Sequence, residues 1–126
     1  MRKGFELAGF NGGRRVLSHV DIQSPNRVGK YGVDVPGFER FLDELNLQDV
    51  NSGLILIDEI GKMECLSRKF TELMAKLLDS STPVIATIAK KGGSFIERIK
   101  HREDVEIIEV TAISRDQLLR ELTHRF

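Results

Sequence analysis

Residues 54–59, Leu-Ile-Leu-Ile-Asp-Glu, set two adjacent carboxylates at the end of four consecutive aliphatic side chains. The run is short for a helix and is bounded by Ser52-Gly53 before and Gly61 after, so it reads as a strand buried on both faces of a parallel sheet. Carboxylates where such a strand emerges stand at the carboxyl edge of the sheet, where open α/β folds put their ligands. Two acids there can divide the hydrolysis of a phosphoanhydride between them. Asp58 would hold the shell of a Mg²⁺ ion and Glu59 would polarise the attacking water, the arrangement of a Walker B strand. The plainer reading is a buried strand that ends in two solvated acids.

Other residues gain chemical meaning from their position relative to this pair. Thr87, inside Val84-Ile-Ala-Thr-Ile88, ends the next predicted strand. In one large division of P-loop proteins a polar residue there senses the γ-phosphate, although a β-branched residue also suits strand packing. Arg27 and Lys30 lie in a Gly-rich loop and can offset charge on phosphate oxygens, or simply remain solvated. Lys62 follows the carboxylates closely and can touch a phosphate or pair with Glu59 or Glu64. Arg115 opens the last predicted helix, from which it can contact the base or phosphates of a nucleotide. His19, His101 and His124 have no partner at metal-ligand spacing. Cys65 reads as a core residue at a helix start, and Lys90-Lys91 as solvated loop cations.

The elements that must position these groups follow from periodicity and turn signals. Residues 4–10 and 14–20 flank Asn11-Gly12-Gly13 and read as a hairpin. Residues 21–35, with Pro25, Gly29 and Gly32, read as a loop with little regular structure. Helices are predicted at about 37–46, 67–79, 94–100 and 114–124, with Pro36 suiting the first turn of the first. Ser94 and Ser114 are the expected caps of the last two. Strands at 54–58, 84–88 and 105–109 complete a strand–helix alternation, which means parallel strands joined by right-handed crossovers. The hairpin is expected to lie against the same sheet.

Composition narrows the setting. The 126 residues suit one domain, 1–126, and 40% hydrophobic content suffices for one modest core. Nineteen basic and nineteen acidic residues leave no global field for nucleic acid or acidic membrane. Absence of Trp argues against a base-stacking surface, and no apolar stretch approaches the ~20 residues that span a bilayer. A single cysteine is consistent with a reducing cytoplasm.

The string Asp58-Glu-Ile-Gly-Lys-Met-Glu64 resembles that of the small nucleoside-triphosphatases of thermophiles, a family known in animals as cancer-related nucleoside-triphosphatases. Val28-Gly-Lys-Tyr-Gly-Val33, Ala86-Thr-Ile88 and Arg115-Asp116 match further family segments, in the same order and over nearly the whole chain. The resemblance implies a P-loop NTPase-like α/β fold, a three-layer sandwich around a mostly parallel sheet with an N-terminal β-hairpin. It implies hydrolysis of a nucleoside triphosphate, ATP or GTP, to NDP and phosphate with Mg²⁺. Asp58 would be at the metal, with Glu59, Thr87 and Arg27 catalytic and Lys30, Lys62 and Arg115 contacting the nucleotide. One part of the family pattern has no match: the Walker A loop, G-x-x-x-x-G-K-[ST], whose backbone N–H groups and Lys cradle the phosphates. The expectation is therefore a domain without its P-loop unit and inactive alone, either recorded from an internal Met or genuinely reduced. A gap beside the strand at 105–109 would leave that strand abnormally paired or exposed, which favours a homo-oligomer. The alternatives from other classes are a non-catalytic binding or assembly remnant and a nucleotide or nucleoside kinase.

Overall fold

Alternating and β-branched residues in the first third of the chain build an antiparallel sheet. In the computed structural model, which describes residues 2–8, 14–45, 53–111 and 114–125, β1 (Gly4–Ala8) pairs with β2 (Arg14–His19). Gly4 stands opposite His19 and Ala8 opposite Arg14, as the hairpin reading requires. Its Asn11-Gly12-Gly13 turn lies outside the described residues.

The segment expected to be an irregular loop folds instead into a second hairpin. β3 (Arg27–Val28) and β4 (Tyr31–Val33) are joined by Gly29-Lys30, with Val28 opposite Tyr31. Gly29 has a φ of 58°, which a two-residue hairpin loop needs and glycine supplies without steric cost. β4 then pairs with β2 through Ser18–Val33 and His19–Gly32, giving a sheet of order β1-β2-β4-β3. The signal was present in Val28-Gly-Lys-Tyr31, a Gly-containing pair flanked by strand-forming residues.

α1 (Val35–Leu45) begins two residues before its predicted start, because Asp34 caps it. Asp34 Oδ1 accepts from the Gly37 N–H at 3.0 Å, and Pro36 sits where no N–H is needed. Phe38, Phe41 and Leu42 are buried, as their spacing predicts. The predicted last residue, Asn46, lies outside the described residues.

β5 (Ile55–Ile60) and β6 (Val84–Ile88) form a parallel pair, Ile55 opposite Val84 and Ile57 opposite Ala86. The crossover between them contains α2 (Arg68–Asp79), capped by Ser67, whose Oγ accepts from the Phe70 N–H at 3.0 Å. Phe70, Met74 and Leu77 turn the buried face of α2 into a core shared with Leu17, Val33, Phe38, Ile55 and Ile60. The hairpin strands therefore form a sheet of their own that lies against β5–β6 across one apolar core, in keeping with the expected packing of the hairpin against the parallel strands.

Two further expectations are corrected. Residues 105–109 form no strand: Ile107 and Val110 are 50% and 64% exposed, and among the described residues β6 pairs with β5 alone. A strand exists only where a neighbour completes its ladder, so β-like composition is not enough. α3 (Ser94–Lys100) is capped by Gly93 at φ 109° and takes no side-chain cap from Ser94. In front of α4 (Arg115–Arg125), Thr111 and Ser114 bond each other reciprocally: the Ser114 N–H donates to Thr111 Oγ1 at 3.1 Å and the Thr111 N–H to Ser114 Oγ at 3.2 Å. No helix among the described residues is long and apolar enough to cross a membrane.

Candidate active site

The parallel pair loses its register where the carboxylates stand. Ile57 faces Ala86 and Ile60 faces Ile88, so β5 sets two residues, Asp58 and Glu59, against the single Thr87 of β6. Such a bulge re-aims side chains and ends regular pairing. The peptide bond between Asp58 and Glu59 is cis. Pairing resumes at once, with the Ala89 N–H donating to the Ile60 carbonyl at 3.0 Å. Within the bulge Thr87 Oγ1 donates to Asp58 Oδ1 at 2.6 Å. Asp58, Glu59 and Thr87 are all exposed at this edge.

A tight turn follows. Gly61 is buried, its carbonyl accepts from the Cys65 N–H at 3.0 Å, and residues Glu64–Leu66 form one turn of 3₁₀-helix. Glu64 is half-buried, and that burial raises its carboxyl above the ordinary glutamate value. The charges of Glu59 and Asp58 push the same way, while the Glu64 and Gly61 N–H groups partly offset the rise. Burial, assisted by the Glu64 charge, lifts the Cys65 thiol to about 11, so it is no nucleophile at neutral pH. The turn is tied to the other sheet by the fully buried Ser18, whose hydroxyl donates to Met63 Sδ at 3.3 Å. It is tied to α1 by Ser67 Oγ, which donates to Glu39 Oε2 at 2.7 Å.

Asp58, Glu59 and Thr87 are thus brought together. Lys62, exposed, lies beside the loop that follows β6, its Cβ 3.7 Å from where a Cβ on Gly92 would stand. It forms no ion pair with Glu59 or Glu64 among the described residues. Arg27 and Lys30 stand on the β3–β4 hairpin. The Arg27 guanidinium donates to the Ile22 and Lys30 carbonyls at 3.2 and 2.9 Å, and the Lys30 ammonium lies 5.4 Å from the Tyr31 ring centroid. Arg115 is exposed at the start of α4. Among the described residues none of these three hydrogen-bonds to the carboxylates or to Thr87, and no group of three or more His, Cys, Asp or Glu side chains is arranged to hold a metal ion. Glu64, which sequence reasoning treated only as a partner for Lys62, is the residue it undervalued. The signal was its place at the end of Asp58-Glu-Ile-Gly-Lys-Met-Glu64.

Comparison with known proteins places the chain in a family. A family model described as NTPase matches residues 1–123. The nucleoside-triphosphatase THEP1 of Thermotoga maritima is 43% identical over 122 residues, covering 96% of this chain and 70% of that protein. The human cancer-related nucleoside-triphosphatase is 36% identical over 132 residues, covering 94% of this chain and 70% of that protein. The crystal structure of THEP1 from Aquifex aeolicus matches with a TM-score of 0.86 at 29% identity, covering 96% of this chain and 75% of that one. The fold is that of the P-loop nucleoside-triphosphatases, and the chain belongs to the nucleoside-triphosphatase family.

Proposed function

We propose that this protein supplies the hydrolytic edge of a site that converts a nucleoside triphosphate, ATP or GTP, to NDP and phosphate. The observation that carries the reading is the bulge in β5, which sets Asp58 and Glu59 against Thr87 at the carboxyl edge of a parallel strand pair. Glu59 is exposed there, free to accept the proton of a water as that water attacks the γ-phosphorus in line with the leaving oxygen. Asp58 offers a hard carboxylate oxygen beside the one that Thr87 engages. That suits Mg²⁺, which takes one or two carboxylates together with water and phosphate oxygens and needs no all-protein cage. A Mg²⁺ ion held by Asp58 would neutralise negative charge on the phosphates. Thr87 has one hydroxyl proton, held by Asp58, and senses a γ-phosphate by turning that proton toward it.

Lys62 is the cation in the turn directly after the carboxylates, and we assign it to the phosphates. Arg115 would meet the nucleotide from α4. Arg27 and Lys30 would offset developing charge only after releasing the carbonyls and ring that hold them now. The carboxylate directly after the Walker B aspartate favours water as the acceptor over a second substrate, and hence hydrolysis over kinase chemistry. A reducing cytoplasm suits the single thiol. Among the described residues β6 pairs with β5 alone, and Ile107 and Val110 are exposed; both features also favour association with a second copy. Light scattering that shows a monomer at every concentration would remove that part.

With a Walker A loop supplied in cis by fusion, Asp58→Asn and Glu59→Gln should each abolish phosphate release. Glu59→Gln should bind MgNTP within a few-fold of the parent, since it loses the water-orienting group and no phosphate contact. Normal turnover by Glu59→Gln would remove the mechanism. Because no Walker A string stands in these 126 residues, we infer that by themselves they bind ATP and GTP weakly. Micromolar MgATP binding by calorimetry, with phosphate release, would show that another segment does the work of that loop.

A further inference from the structure

The turn after β5 does more than carry the chain away from the sheet. A methyl group on Gly61 would stand 2.5 Å from Glu64 Oε1 and 3.2 Å from Glu59 Cγ, so the two acidic side chains flank one face of a buried glycine. Gly61 has no positive φ, so its role is to leave space and not to supply an unusual backbone conformation. The segment that carries Glu64 is held at several points. The Cys65 N–H donates to the Gly61 carbonyl at 3.0 Å and the Ser67 N–H to the Glu64 carbonyl at 3.0 Å. Ser18 holds Met63 from the neighbouring sheet, and Glu39 holds Ser67 from α1. Glu64 is therefore fixed to the core, whereas Glu59, at the bulge, is exposed. A carboxylate on an anchored segment beside an exposed one restricts it twice, by occupying volume and by like-charge repulsion.

We propose that Glu64 is a positioning residue for the hydrolytic reaction: standing across Gly61 from Glu59, it holds the Glu59 carboxylate out over the carboxyl edge of β5–β6. This rests on the reading of Glu59 as the water-orienting group. Glu64 itself touches neither water nor nucleotide. The raised proton affinity of Glu64, part of which comes from Glu59, agrees with the closeness of the two groups.

The test is steady-state NTP hydrolysis by the protein carrying a Walker A loop, with Glu64→Ala, Glu64→Gln and Glu64→Asp beside Glu59→Gln. A displacement of about 1 Å in a reacting group costs roughly a hundredfold in rate. Glu64→Ala should therefore lower kcat by about that factor, with KM within about threefold of the parent. Glu64→Gln keeps the shape and should recover turnover to within about fivefold of the parent, while Glu64→Asp, one methylene short, should fall between. If Glu64→Ala melts too low to assay, the order parent, Gln, Asp in kcat decides the matter alone. The proposal fails if Glu64→Ala retains the parent kcat, if the loss lies in KM, or if Gln is no better than Asp. Normal turnover by Glu59→Gln would instead overturn the hydrolytic reading itself, so the two failures are distinguishable.

Discussion

The bond from Thr87 to Asp58 lets one hydroxyl orient the carboxylate proposed to hold the metal. Thr87→Ser keeps that donor and should retain most activity, whereas Thr87→Val keeps the shape and removes the proton. Phosphate release by the Val variant should fall at least tenfold, on the order of 1.4 kcal/mol in the barrier, and equal rates for the two variants would contradict the assignment. Glu64 contributes a pH dependence whose sign follows from the direction of its shift. Its folded state holds the proton more tightly than the unfolded chain does, because burial opposes the charge. The corresponding stability is fully present below the ordinary glutamate range and is lost as pH rises through the raised folded value. Glu64→Gln should accordingly unfold at higher urea than the parent at pH 7, and the two midpoints should converge in acid. A difference that grows as pH falls would reverse the sign and remove the explanation.

At the scale of elements, the decisive joint is the start of α2. Ser67 Oγ accepts from the Phe70 N–H and donates to Glu39 Oε2, so one buried hydroxyl caps a helix and links it to α1. Ser67→Ala should cost about 1–2 kcal/mol in urea unfolding, since the cap is lost and Glu39 is left short of a donor. Glu39→Ala should cost less, and the double variant should fall short of the sum because the two share a bond. Additive costs would mean that the link carries no energy. The same joint holds the Gly61–Ser67 turn in place, so its loss should also reduce turnover in the protein carrying a Walker A loop.

For the molecule as a whole, stability comes from a core assembled by both sheets and the two longer packed helices. Phe38 of α1 and Phe70 of α2 meet with ring centroids 5.4 Å apart, and Met74 is 2% exposed between the surrounding aliphatics. Met74→Ala should destabilise by roughly 2–5 kcal/mol, a large part of a typical domain's total, measured as a shift in urea midpoint at unchanged slope. Leu119→Ala, at a position 67% exposed on α4, should change it by less than about 0.5 kcal/mol. A similar loss at both sites would mean that α4 belongs to the core after all.

What the amino-acid order determined by itself is everything that depends on neighbours close in sequence. The apolar spacing of Phe38, Phe41 and Leu42, and of Phe70, Met74 and Leu77, marks the buried faces of α1 and α2 without knowledge of their partners. The aliphatic runs before Asp58 and around Thr87 mark the parallel strands, and the motif from Asp58 to Glu64 marks the family. Sheet membership was not legible, because a strand is defined by hydrogen bonds to residues distant in the chain. Thus Tyr31–Val33 became a strand by pairing with β2, whereas residues 105–109, more strand-like in composition, found no ladder. The candidate site divides in the same way. Its residue types stood in the sequence, but the extra residue in β5 that sets Asp58 and Glu59 against Thr87, and the turn that brings Glu64 to Glu59, exist only in the register between β5 and β6 and the anchoring of the turn by Ser18 and Glu39. Register is settled by packing across the whole core, and no local periodicity encodes it.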